Sequence, residues 1–382
     1  MRIAVLGSTG SIGLQALEEI RRYPERFRLT ALAAGRNAEL LAAQAKEFGV
    51  LELGVSGPAE AERLRQALPK ARVRVGAEGL AELASLPEVD LVLNAVVGVV
   101  GIFPTLSALR AGKRLALANK ESIVVGGALV MREQRFPDQL IPVDSEHAAL
   151  WQLLAKVRGE EVERLWITAS GGPFRDRPEE ELARVTPEEA LRHPTWKMGP
   201  RITIDSATLV NKAFEVIEAH HLFRVSWERI GVLLHPQSTV HALVELRDGS
   251  VLAQLAVPDM RLPIRAALTY PERLGPPLPL PLAPLTLDFR EVPRDKYPGF
   301  WAVLRAGKEG GTAPAVANAA DEVLVQAFLA GKIPFPAIAA GIDAVLAQHE
   351  NSRVDSLEGL LAADRWAREA TRRFVAQEAG TR

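Results

Sequence analysis

An α/β fold with an N-terminal parallel sheet, a central α+β catalytic domain and a C-terminal helical domain is predicted by three observations. Residues 1–144 alternate short apolar runs with helical patterns, which argues a mostly parallel sheet covered on both faces. Residues 145–270 follow a different pattern. Four strand-like runs occur there, three of them in sequence, and Arg247-Asp248-Gly249-Ser250 forms a turn between two of those. Beyond a proline-dense stretch at 271–298, residues 299–382 read as helices.

In order along the chain, the first strands are predicted at 2–6, 28–34, 50–55, 72–75, 90–95, 114–118 and 140–143. Helices fall between them at 11–22, 38–47, 58–68, 102–111 and 121–134. The first strand runs directly into Gly7-Ser8-Thr9-Gly10-Ser11-Ile12-Gly13 and then into a helical pattern. Glycines at 7, 10 and 13 let the backbone turn sharply and approach a pyrophosphate, which the free N–H groups of the helix start can hold. The spacing is G-x-x-G-x-x-G, and its place after the first strand makes this a Rossmann-type nucleotide site. The second strand ends in Gly35-Arg36-Asn37, with no acidic residue from Phe27 to Ala38. An acid there accepts from the ribose 2′-hydroxyl of NAD; an arginine suits the 2′-phosphate of NADP. NADPH is therefore expected.

In the second region, strands are predicted at Leu165–Ala169, Val232–His235, Val240–Leu246 and Val251–Val257. Thr168-Ala169-Ser170-Gly171-Gly172-Pro173-Phe174 is a small-residue loop whose hydroxyl and N–H groups suit a phosphate. His193-Pro194-Thr195-Trp196-Lys197-Met198-Gly199 puts a large aromatic in a loop bounded by Pro and Gly, the composition of a lid. Arg201–Ile204 reads as an apolar, strand-like run into Asp205-Ser206-Ala207-Thr208, ahead of a helix at 209–223. Further helices are predicted near 299–307, 313–330, 336–348 and 356–376.

Composition bounds the function. The net charge is −1, so no basic excess is available for nucleic acid or an anionic membrane. No stretch is apolar for long enough to span a bilayer. The chain opens on its first strand, so a cytoplasmic enzyme without a leader is expected. There is no cysteine, which excludes thiol nucleophiles, disulfides and thiolate metal sites.

Two acidic segments carry the chemistry. Asp144-Ser145-Glu146 follows the apolar run Ile141-Pro142-Val143, and an extended backbone there would point both carboxylates to one side. Asn211 and Glu215 are four apart on a helix, with Lys212 beside them. Three hard carboxylates suit Mg²⁺, Mn²⁺ or Co²⁺, and the neighbouring ammonium, amide and hydroxyl groups suit a phosphorylated substrate rich in oxygen.

These segments together resemble the 1-deoxy-D-xylulose 5-phosphate reductoisomerase family. The matching stretches are Gly7–Gly13, Ala118-Asn-Lys-Glu-Ser122, Pro142-Val-Asp-Ser-Glu-His147, Ser170-Gly-Gly-Pro-Phe174, His193–Gly199, Asp205–Glu215, His235-Pro-Gln-Ser238, Asp248–Gln254, Pro258–Arg261 and Asn318–Glu322. The resemblance implies rearrangement of a phosphorylated ketose to a branched aldehyde, by retro-aldol cleavage and re-addition or by an α-ketol shift. NADPH then reduces that aldehyde to 2-C-methyl-D-erythritol 4-phosphate. It implies Asp144, Glu146 and Glu215 as metal ligands, and Lys120, Glu146 and His193 as catalytic groups. Substrate contacts would come from Lys120, Ser145, Glu146, Ser170, His193, Ser206, Asn211, Lys212 and Glu215, with Trp196 and Met198 on the closing loop. Thr9, Gly10, Ser11, Ile12, Gly35, Arg36, Asn37, Asn119, Glu121 and Gly199 match the family's cofactor contacts. A homodimer is also implied.

Two other classes share parts of this pattern. A phosphorylating semialdehyde dehydrogenase shares the glycine loop but needs a cysteine nucleophile. A non-catalytic NADP sensor would not need three carboxylates beside a phosphate-binding set.

Arg36→Glu tests the cofactor assignment. It removes a cation and adds a like charge facing the 2′-phosphate, so the kcat/KM ratio of NADPH to NADH should fall by roughly 10-fold or more. An unchanged ratio in steady-state kinetics would make Arg36 a solvated loop residue.

Overall fold

Arg2–Leu6 (β1) has its four apolar residues wholly buried, as expected for a strand covered on both faces of a parallel sheet. The structure, a computed structural model, describes residues 1–196, 198–354 and 356–380. Contacts divide the chain into two compact units, each assembled from three stretches of sequence. The first comprises Met1–Ser122, Val130–Trp151 and Asp259–Leu278; the second comprises Ile123–Leu129, Gln152–Pro258 and Pro279–Arg382.

In the first unit β1 is joined by Arg28–Ala33 (β2), Glu52–Val55 (β3), Arg72–Val75 (β4), Leu91–Asn94 (β5), Arg114–Leu117 (β6) and Leu140–Pro142 (β7). The order is β4-β3-β2-β1-β5-β6-β7, and every pairing is parallel. The chain therefore winds outward from β1 in one direction, then restarts at β5 and winds in the other. That reversal opens a crevice at the carboxyl ends of β1 and β5, where α/β sheets hold their ligands. Ile3, Val5, Leu32, Leu53, Leu91 and Leu93 form the core with Leu17, Leu41 and Leu64 from the covering helices. The seven strands stand where the sequence predicts them. A helix at Gly76–Ser85, which sequence reasoning did not anticipate, also covers this sheet.

The helix Arg261–Thr269 adds to this unit through a buried ion pair. Arg265 Nε donates to Glu19 Oε2 at 2.8 Å, and Glu19 is only 1% exposed. Glu19 lies on Ser11–Arg22, the helix that follows the glycine loop, so the pair fixes that helix at its far end.

The second unit holds a mixed sheet of Val162–Ala169 (β8), Ile230–Leu234 (β9), Val240–Leu246 (β10), Val251–Leu255 (β11) and Arg290–Glu291 (β12). Its order is β11-β10-β8-β9-β12; β8 and β9 are parallel and the other pairs antiparallel. Helices Pro298–Glu309, Ala313–Leu329, Pro336–Ala347 and Leu357–Gly380 form the C-terminal part. The first three carry proline in their opening turn, where its missing N–H costs nothing. Phe174, Phe335 and Phe328 stack edge to face at 5.2 and 5.6 Å in its core. The proline-dense stretch has little regular structure, yet it supplies β12, and Lys296 Nζ donates to the carbonyls of Arg175 and Arg177 at 2.6 and 2.7 Å.

Two local expectations are corrected. Residues 201–204 are not a strand: Pro200–Ala207 is a helix, capped at Gly199. The β-branched isoleucines mislead there, because proline in the first turn and the burial of Thr203, Ile204 and Ala207 on one face select the helix. Asp144–Glu146 is not extended either, since a helix begins at Ser145.

Replacing Arg265 with Leu should strip Glu19 of its main buried counter-ion. Breaking such a pair costs about 3–5 kcal/mol. The urea transition of the first unit, followed by circular dichroism, should move to a lower midpoint; an unmoved midpoint would show that Arg22, whose Nε lies 3.5 Å from Glu19 Oε1, suffices alone.

Candidate active site

The predicted residues form two groups, one in each unit. In the first unit the glycine loop leaves β1 at Gly7, whose φ is +88°. A Cβ at Gly7 would overlap the Ala95 carbonyl, and one at Gly13 would overlap the Gly7 carbonyl, so neither position accepts a side chain. Gly10 caps the helix Ser11–Arg22 without any side-chain hydrogen bond to the helix start. The first-turn N–H groups of Ser11, Ile12 and Gly13 therefore lack a side-chain cap, which fits a pyrophosphate. Thr9 is half-buried, and Gly35, Arg36 and Asn37 are exposed after β2. Asn37 Oδ1 accepts from Leu40 N and so caps the helix Ala38–Phe48. The exposed Arg36 guanidinium fits a 2′-phosphate.

Asn119 and Glu121 shape the turn after β5. Asn119 Nδ2 donates to the carbonyls of Val96 (2.7 Å) and Gly98 (2.9 Å), and its Oδ1 accepts from Ser122 N at 3.0 Å. Glu121 Oε1 accepts from Gly98 N at 3.2 Å. Asn119 is buried, and its amide holds this turn in place.

Asp144 bridges a strand end and a helix start. Its Oδ1 accepts from Glu146 N at 3.2 Å as a helix cap, and from His147 Nδ1–H at 2.9 Å. Its Oδ2 receives the Lys120 ammonium at 3.1 Å. Ser145 Oγ–H donates to Glu146 Oε2 at 2.9 Å. The first unit thus brings Lys120, Asp144, Ser145 and Glu146 together. Hard carboxylate oxygens with a cation beside them fit a divalent metal and an anionic substrate.

In the second unit, Pro200–Ala207 and Val210–Phe223 form a helix pair turned at Leu209, whose φ is +63°. Ser206 ends the first helix; Asn211 and Lys212 open the second. Glu215, 1% exposed, accepts from Asn211 Nδ2 and Lys212 Nζ, both at 2.6 Å. Two of the groups predicted to contact the substrate are thus engaged by the third predicted carboxylate. Gly172 packs against the Ser206 backbone so closely that a Cβ would collide with it, which brings the Ser170 loop to Ser206.

His193 reaches that loop. Its Nδ1 faces the N–H groups of Thr195 and Trp196 at 3.1 and 2.9 Å, so Nδ1 is the unprotonated nitrogen. Nε2–H therefore donates to Ser170 Oγ at 2.9 Å, which leaves the serine hydroxyl hydrogen for a ligand oxygen. Burial, helped by the Arg175 and Lys212 charges, pushes the imidazole down to about 4. Protonation would turn Nδ1 into a donor facing two donors and loosen the loop at its root. The Trp196 ring lies 6.2 Å from that of His241, Met198 is half-buried, and Gly199 caps the following helix. Lys197 lies outside the described residues. Arg175 escaped sequence reasoning: it donates to the Ser170 carbonyl at 3.2 Å, and a lone arginine gives no spacing signal.

Family models match most of the chain. The 1-deoxy-D-xylulose 5-phosphate reductoisomerase model covers residues 3–127, its C-terminal domain model covers 140–223, and the DXP reductoisomerase C-terminal domain model covers 255–370. The chain is 49% identical to 1-deoxy-D-xylulose 5-phosphate reductoisomerase of Chlorobaculum tepidum, over 98% of this chain and 99% of that one. It is 52% identical to that of Moorella thermoacetica over 96% of each. A solved DOX-P reductoisomerase in complex with NADPH, fosmidomycin and magnesium superposes with a TM-score of 0.92 at 38% identity, covering 98% of both chains. The Zymomonas mobilis enzyme in complex with NADPH gives 0.89 at 39% identity, again with 98% coverage of both chains.

The tautomer has a measurable signature. Imidazole ¹⁵N shifts should show His193 neutral with its proton on Nε2 at pH 7, and cationic only as the pH approaches about 4. An unfolded histidine titrates near 6.5. The stabilisation tied to this group is therefore whole above pH 6.5 and declines as the pH falls toward 4. A folded-state midpoint near 6.5 would contradict the arrangement.

Proposed function

Because the chain belongs to the 1-deoxy-D-xylulose 5-phosphate reductoisomerase family, we propose that it converts 1-deoxy-D-xylulose 5-phosphate to 2-C-methyl-D-erythritol 4-phosphate, using NADPH and a divalent cation, in non-mevalonate isoprenoid synthesis. The end-to-end likeness to a reductoisomerase in complex with NADPH, fosmidomycin and magnesium carries this reading.

Asp144, Glu146 and Glu215 hold the cation, Mg²⁺ or Mn²⁺ by their hard oxygens. When bound, that ion supplies Lewis-acid polarisation of the substrate carbonyl. Bound NADPH supplies the hydride. The chain's own groups do the rest. Lys120, paired with Asp144, donates to substrate oxygens, and Glu146, which accepts from Ser145 Oγ, is placed to take a proton. Ser170, Ser206, Asn211 and Lys212 hold the phosphate; Asn211 and Lys212, now on Glu215, would turn to it, and Glu215 would then be one of the residues that hold the cation. His193 orients Ser170 and roots the loop bearing Trp196 and Met198. The NADPH contacts are Thr9, Gly10, Ser11, Ile12, Gly35, Arg36 and Asn37, with Asn119, Glu121 and Gly199 completing the set.

By this division residues 1–144 serve NADPH apart from Lys120 and Asp144, 145–270 serve metal and substrate apart from Gly199, 271–298 connect, and 299–382 support. The enzyme is read as a cytoplasmic homodimer. Among the described residues no helix is long and apolar enough to cross a membrane. A second copy suits β11, the edge strand of the mixed sheet, where Val251 is 52% exposed.

NADPH oxidation with 1-deoxy-D-xylulose 5-phosphate, with and without EDTA, tests the function; turnover untouched by EDTA would remove the metal from it. Asp144→Asn, Glu146→Gln and Glu215→Gln should each lower kcat by about 100-fold or more and weaken Mg²⁺ binding in calorimetry, with circular dichroism unchanged. A variant with wild-type turnover at saturating Mg²⁺ drops out of the ligand set.

A further inference from the structure

Gln44 is a buried amide that the reaction as described does not use. It lies on the helix Ala38–Phe48 and is 5% exposed. Its side chain makes a reciprocal pair with Ser8, the residue inside the glycine loop. Ser8 Oγ–H donates to Gln44 Oε1 at 2.7 Å, and Gln44 Nε2 donates to the Ser8 carbonyl at 3.0 Å. Ser8 has no exposed surface, so no water can replace either bond. The Ser8 N–H is also committed, to the Ala33 carbonyl at 2.8 Å. Every polar group of Ser8 is thus tied down, and the peptide leading to Thr9 and Gly10 has a fixed orientation.

The other end of the same helix bears the second loop. Asn37 caps it, directly after Arg36. Asn37 and Gln44 are seven residues apart, two turns along one face, or about 10.5 Å. The helix is therefore a rigid strut with the 2′-phosphate loop at its start and the Ser8 clamp two turns later.

We propose that Gln44 is a positioning residue for the dinucleotide. Its carboxamide locks the pyrophosphate loop to the helix that directly follows Arg36 and Asn37, so that both ends of the adenosine phosphate moiety meet groups already held at a fixed separation. The proposal rests on the reading of this loop as the NADPH cradle. Gln44 touches no ligand; it acts through Ser8 and the helix. A preorganised cradle loses less freedom on binding, which is where the affinity arises.

The test is direct titration of NADPH and NADH by fluorescence on the full-length protein without substrate, with steady-state kinetics alongside. Gln44→Met keeps the size and removes both bonds. The NADPH Kd should rise about 5- to 10-fold, and the NADPH preference over NADH should fall, while kcat and the KM for the phosphorylated ketose stay within about 2-fold. Ser8→Ala removes one bond of the pair and should raise the NADPH Kd about 3-fold. In the double variant the two factors should not multiply, because both act through one clamp. A merely structural role would lower the melting temperature and leave both Kd values at the wild-type level below the transition. That result, an equal rise in the KM of the sugar phosphate, or fully multiplying factors would overturn the proposal. If Gln44→Met does not fold, the Ser8→Ala titration decides: an unchanged Kd and cofactor preference would overturn it. Wild-type protein that binds no NADPH would instead sink the reading of the cradle itself.

Discussion

The space between β1 and β5 is the constraint on which the dinucleotide end of this protein depends. The sheet reverses its winding there, and the chain leaving β1 must pass the Ala95 carbonyl at a separation that excludes any side chain. Gly7 meets that demand by its positive φ, and Gly13 lets the following helix settle onto the same turn. Every later feature of this end inherits its position from that close approach. The uncapped helix start is aimed by it, the Ser8 peptide is pressed against the helix Ala38–Phe48 by it, and Asn119 fixes the neighbouring turn after β5. The far end of the first helix is secured by the buried Glu19–Arg265 pair, so the loop is held from both sides.

The acidic chemistry obeys a different rule, that buried charges must be matched. Asp144 has Lys120 and His147; Glu215 has Lys212 and Asn211. Of these partners, Lys120, Lys212 and Asn211 are among the groups expected to meet the substrate. Ligand binding is therefore an exchange of partners and not the filling of a bare pocket, and the gain is a difference between two well-satisfied states.

Much of this was legible in the sequence because the local signals were strong. Most strands of the parallel sheet are apolar runs bounded by turn residues, while β4 alternates arginine with valine. The glycine loop carried its own spacing, and the three carboxylates stood out by their neighbours. What escaped was set by tertiary contacts. Pro200–Ala207 looks like a strand because Ile202 and Ile204 are β-branched, and only the proline in its first turn hints otherwise. β12 is two exposed residues in a proline-rich stretch, paired to β9 by backbone alone, so no side-chain pattern announces it. The roles of Gln44 and Arg265 depend on Ser8 and Glu19, 36 and 246 residues away, and no short window of sequence contains such pairs.

The helix Glu121–Arg132 departs from helical geometry at Gly126, and its middle residues, 123–129, are counted with the second unit while its ends are counted with the first. The chain crosses between units five times: after residues 122, 129, 151, 258 and 278. A hybrid made by joining the front of one homologue to the back of another at a single junction would split at least one hydrophobic core between two parents that never coevolved. Exchange of a whole unit would need five coordinated junctions, three of them inside helices. Recombination among relatives is thus penalised almost everywhere along the gene, and the protein is expected to be inherited as one indivisible block.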